Sequence, residues 1–102
     1  MADEVTVGRV EDVPEGEMRA FQVGGDDVTV ANVGGSLYAF GDTCTHAGCS
    51  LAEGDLEETS VTCVCHGSEF DVATGEVLGP PATESVPTFE VAVEDGEIRI
   101  GT

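Results

Sequence analysis

Two short segments hold the residues best suited to chemistry. Cys44-Thr45-His46 is followed, after 16 intervening residues, by Cys63-Val64-Cys65-His66, so that the only two histidines of the chain stand at C-x-H and C-x-x-H offsets from cysteines. Thiolate and imidazole are the donors that soft and borderline metals prefer, and their pairing in both segments points to a metal centre rather than to buried thiols and surface histidines. Zinc is the simplest occupant, because two cysteines and two histidines satisfy a tetrahedral structural site. The spacing argues against it. A zinc finger pairs cysteine with cysteine and histidine with histidine, whereas each segment here offers one of each, as though two metal atoms drew a ligand from both. A plant-type four-cysteine cluster fails as well: Cys44 and Cys49 have its four-residue gap, but the next cysteine would fall at Ala52.

These residues must be positioned by something rigid, and the flanking sequence supplies it. Val5 and Val7 open a first strand, Met18 to Val23 a second, Val28, Val30 and Val33 a third, and Leu37 to Phe40 a fourth. Gly24, Gly25 and Asp26, and then Gly34-Gly35, offer the positive φ angles of tight reversals. Near the end Phe89, Val91 and Val93 alternate with Glu90, Ala92 and Glu94, and Asp95-Gly96 turns the chain into Glu97 to Ile100. The expectation is an all-β scaffold presenting loops between Gly41 and Pro87, the region that contains every cysteine and histidine. Ser50 to Glu58 has room for a helical turn that Gly54 would stop.

The segments CTHAGC, CVCHGSEFD and GPP resemble the cluster-binding domain of Rieske iron-sulfur proteins, over about residues 38 to 93. The resemblance implies an antiparallel β-sandwich of about 8 to 10 short strands with a cluster-binding loop subdomain at about 41–82 of a single 1–102 domain. It implies one [2Fe–2S] cluster per chain, with Cys44 and Cys63 on the inner iron and His46 and His66 on the outer one. Two neutral imidazoles in place of two thiolates leave the site less negative and raise its potential above that of an all-cysteine cluster. Cys49 and Cys65 stand where respiratory members carry a loop-bridging disulfide, a pair that small cytoplasmic Rieske ferredoxins generally lack. Ser68 matches a serine that donates to the cluster, and Phe70 replaces the tyrosine of high-potential members. Pro80 and Pro81 match a proline loop covering the cluster, while Gly48 and Gly67 would let backbone amides approach the sulfides.

Composition narrows the function. Among 102 residues there are 21 acids against three arginines and no lysine, for a formal charge of -18. That excludes nucleic acid and anionic membranes as partners. The acids run from Asp3 to Glu97 rather than forming a tail, and 40% hydrophobic residues argue for a folded domain over a disordered one. Such a surface reads as adaptation to high salt. Residues 1–13 hold no apolar run of a secretory signal, and no stretch approaches the roughly 20 apolar residues of a membrane span. With both histidines committed to metal, neither general-base catalysis nor a mononuclear iron site has a donor left, and no dinucleotide-binding glycine motif is present. The expected protein is a cytoplasmic, monomeric one-electron carrier between a reductase and a terminal acceptor. That acceptor is an oxygenase or, alternatively, the nitrite reductase whose small subunit it resembles. A zinc-stapled interaction module is the reading from another class.

Overall fold

The computed structural model describes residues 4–23, 25–43, 49–65, 67–80 and 84–101. Among these residues, ten strands form two antiparallel sheets. The larger contains β1 (Glu4–Arg9), β2 (Met18–Val23), β3 (Asp26–Val33), β4 (Ser36–Gly41), β9 (Thr88–Glu94) and β10 (Glu97–Gly101), in the order β1-β10-β9-β4-β3-β2. The smaller consists of β5 (Asp55–Glu57), β6 (Ser60–Thr62), β7 (Glu69–Asp71) and β8 (Val77–Gly79) in sequence order.

Two-residue reversals set the register of the large sheet. Val33 pairs with Ser36 across Gly34 and Gly35, at φ 60° and 95°, and Glu94 pairs with Glu97 across Asp95 and Gly96, at φ 51° and 77°. Positive φ at both central residues gives the turn twist that matches paired strands. Between β2 and β3 the same service comes from Gly25 at φ 95°, with Asp26 already in the strand; Gly24 lies outside the described residues.

Apolar side chains divide into two cores. Val13, Val23, Val28, Val30, Ala39, Ile98 and Ile100 fill one. It is enclosed by the large sheet, which curls until its end strands β1 and β2 lie against each other. Met18, Ala31, Phe40, Leu51, Val61, Cys63, Phe70, Val72 and Val86 fill the other, between the two sheets. Strands β3 and β4 serve both cores, which is why Val28 to Asn32 are buried without interruption where a one-faced strand would alternate. Full burial of Phe40, Leu51 or Phe70 contributes about 1.5–3 kcal/mol each.

The region 41–87 is more regular than its sequence pattern suggests, since it contains the whole small sheet. Asp71 organises the β7–β8 turn, its Oδ1 accepting from the amides of Ala73 and Thr74 at 2.8 and 3.2 Å. The helical turn expected after Ser50 is a single 3-10 turn, Leu51–Glu53, closed where the Gly54 amide donates to the Leu51 carbonyl at 3.0 Å. A second one, Val10–Asp12, carried no sequence signal we recognised. No helix among the described residues is long and apolar enough to cross a membrane.

Candidate metal centre

Each of the two cysteine- and histidine-bearing segments is flanked by residues that are held together. After β4 the chain forms an isolated bridge between Thr43 and Ser50, so residues 44–49 leave and re-enter the body at one point. On the small sheet, the Cys63 amide donates to the Ser68 carbonyl at 2.8 Å, extending the β6–β7 ladder one step beyond the Thr62–Glu69 pair. The Gly67 amide closes the turn on the Cys63 carbonyl at 3.0 Å, and its φ of 78° is the left-handed conformation that glycine adopts without strain. Val64, Cys65 and Gly67 thus belong to the tip of a hairpin.

A disulfide between Cys49 and Cys65, with Cα atoms 6.5 Å apart, clips the two loops to each other. Beside it lies Cys63, a free thiol only 1% exposed, and the three sulfurs fall within 4.8 Å of one another. They do not form a three-thiolate site. A sulfur committed to a disulfide has no thiolate to give, so of this trio Cys63 alone is a donor.

The chain has four cysteines and two histidines. Removing the disulfide pair leaves two thiols and two imidazoles, a set too poor in sulfur for any four-cysteine site. It suits a cluster whose irons are held by two cysteines and two histidines. The buried free thiol at the junction of two cross-linked loops is the structural feature that fits such a cofactor. Cys44, His46, Gly48, His66 and Pro81 lie outside the described residues.

The remaining positions singled out in the sequence surround this junction. Ser68 is fully buried at the base of the hairpin tip, and Phe70 is fully buried in the core that contains Cys63. Gly67 and Pro80 are exposed. Two neighbours had escaped notice because isolated apolar residues carry no pattern: Val64, 64% exposed at the hairpin tip, and Leu78, 53% exposed on β8. Asp42 had too, although an aspartate two residues ahead of C-x-H, where an apolar strand ends, was a signal available to be read.

Residues 3–90 match the Rieske [2Fe-2S] domain. The chain belongs to the Rieske family. Its cofactor is accordingly a [2Fe–2S] cluster. The ferredoxin subunit of 3-phenylpropionate/cinnamic acid dioxygenase from Escherichia coli (strain K12) is 43% identical over 92 residues, which cover 89% of this chain and 86% of the relative. Among solved structures, the ferredoxin of carbazole 1,9a-dioxygenase from Nocardioides aromaticivorans IC177 superposes with a TM-score of 0.92 at 32% identity, covering 95% of each chain. A chain in the complex of reduced oxygenase and oxidized ferredoxin of carbazole 1,9a-dioxygenase gives a TM-score of 0.90 at 36% identity, covering 96% of this chain and 92% of that one. A nitrite reductase small subunit from Mycobacterium tuberculosis, described as putative, shares the fold alone, at 19% identity and a TM-score of 0.89 with 100% and 96% coverage. The Escherichia coli and Nocardioides aromaticivorans relatives are ferredoxin components of dioxygenase systems.

Proposed function

We propose that this Rieske protein carries single electrons from a reductase to a terminal oxygenase. Cys44 and Cys63 hold the inner iron, and His46 and His66 the outer one. When bound, the cluster supplies a one-electron couple at a potential raised by its two neutral imidazole ligands. The chain's own residues do the rest. Segment 63–67 and segment 44–49 offer one free thiol and one imidazole each, the Cys49–Cys65 bridge links them, and the apolar core behind Cys63 keeps water from its sulfur.

The observation that carries the reading is a free buried Cys63 where two closed, disulfide-linked loops meet, in a chain similar over most of its length to oxygenase ferredoxins. The exposed, uncharged residues Val64, Gly67, Leu78 and Pro80 are the docking face of this reading on an otherwise acidic molecule. The acidic surface supports a high-salt cytoplasm, and the chain acts as a single 1–102 domain and a monomer between dockings. Oxygenase is favoured over nitrite reductase because the ferredoxin likeness extends to sequence, whereas the reductase subunit shares only shape.

The test mixes the dithionite-reduced, desalted protein with a ring-hydroxylating oxygenase component or with a nitrite reductase catalytic subunit in stopped flow. Reoxidation by the oxygenase, one electron per chain, is expected. Reoxidation by the nitrite reductase alone would assign the protein to the other system.

A further inference from the structure

Asp42 is 7% exposed and makes no ion pair among the described residues, yet it is the most heavily engaged carboxylate in them. Its Oδ1 accepts from the hydroxyl of Thr29 at 2.6 Å, the hydroxyl of Ser50 at 2.8 Å and the amide of Ala52 at 3.0 Å. Its own amide donates to the Asp27 carbonyl at 3.0 Å, and its carbonyl accepts from the Leu51 amide at 2.7 Å. Thr29 belongs to β3 in the large sheet, Asp42 enters the 44–49 loop, and Ser50, Leu51 and Ala52 leave it. Both ends of that loop are therefore pinned to the scaffold through one buried side chain.

A carboxylate is costly to bury without a cation, and an apolar residue of similar size would serve packing better. What an apolar residue could not do is gather three donors from two directions onto one oxygen. Convergence of this kind fixes position. Cys49, at the loop's end, passes the constraint through its disulfide to the hairpin that contains Cys63.

We propose that Asp42 is a positioning residue of the metal centre, fixing the two ends of the 44–49 segment against the large sheet so that the donors it carries stay matched to those of segment 63–66. This rests on the ligand assignment above. Without that side chain, the described ends of the segment would keep the Thr43–Ser50 bridge, the disulfide and the backbone bonds of Asp42, but would lose the convergence of three donors on one oxygen.

The experiment compares the holoprotein with Asp42→Ala, Asp42→Asn and, as a control in the other core, Ile98→Val. Iron release to a chelator and the line width of the reduced-state EPR spectrum are read. Asp42→Ala removes the acceptor of three hydrogen bonds and should release iron at least about tenfold faster, the scale of a single bond to a charged group, and broaden the spectrum. Asp42→Asn keeps an acceptor oxygen of the same shape and should restore both. Ile98→Val should lower the melting temperature while leaving both readings at wild-type values. Wild-type release and line width in Asp42→Ala, or equal damage in Ile98→Val, would overturn the proposal. If Asp42→Ala does not accumulate as holoprotein, Ser50→Ala decides, since it deletes one donor: faster release supports the role and an unchanged rate refutes it. Wild-type protein without a histidine-ligated EPR signature would instead defeat the ligand assignment, whatever the variants do.

Discussion

Phe70 is where a single atom would tell most about how the potential is set. Its ring is fully buried among Leu51, Val61 and Cys63, and it has no hydroxyl to offer a cluster sulfur. Phe70→Tyr adds one. A hydroxyl that reaches the Cys44 sulfur stabilises the reduced form by roughly 1 kcal/mol, and about 1.4 kcal/mol corresponds to 59 mV for one electron, so the potential should rise by some tens of millivolts in an EPR-monitored titration. Ser68→Ala, removing a buried hydroxyl at the base of the hairpin tip, should lower it by a similar amount. If the tyrosine finds no sulfur, its buried hydroxyl costs about 1–3 kcal/mol, and the melting temperature falls with the potential unmoved. At this scale the sequence was legible where residue type is itself the signal. Cysteines and histidines announce a metal site by spacing, but Asp42 looks like any of 21 acids until its three donors are placed around it.

Elements show where periodicity informs and where it fails. Hairpins β3–β4 and β9–β10 were readable because Gly34-Gly35 and Asp95-Gly96 adopt the backbone angles their types favour. The small sheet was not. Its strands are three residues each, too short to show alternation, and they are set by contacts instead. One such contact is Gly54, where a Cβ would fall onto the Thr62 carbonyl; Gly54→Ala should cost about 1–3 kcal/mol and lower the melting temperature by several degrees in a calorimeter. The disulfide is the other device. It spans 16 residues, and loops of that size are worth at most ~3 kcal/mol, less when the cluster already cross-links the same segments. Cys65→Ser should therefore still assemble a cluster, judged by its visible spectrum, and lose it faster to a chelator. Alkylating the denatured, unreduced protein should leave Cys49 and Cys65 unmodified in peptide mass analysis, whereas labelling of both would show the bridge to be absent in solution.

The whole molecule is governed by its charge of -18. Among the described residues each of the three arginines pairs with an acid, Arg9 with Glu11, Arg19 with Glu17 and Arg99 with Glu94, so little positive charge faces a partner. Such exposed pairs add little stability. Self-repulsion among the acids weakens the fold in dilute buffer, and salt relieves it, the Debye length falling to about 3 Å at 1 M. The melting temperature should accordingly rise from low to molar sodium chloride, and electron transfer to the physiological acceptor should persist there, because the proposed docking face, Val64, Leu78 and Pro80, is apolar and needs no long-range steering. A transfer rate that collapses as salt rises would refute both the high-salt reading and the docking face. A cluster held by two cysteines and two histidines is open to metal and acid-labile sulfide analysis together with EPR of the dithionite-reduced protein. Two irons and two sulfides per chain are expected, with the low average g-value of a histidine-ligated [2Fe–2S] centre. Stoichiometric zinc without sulfide would contradict it.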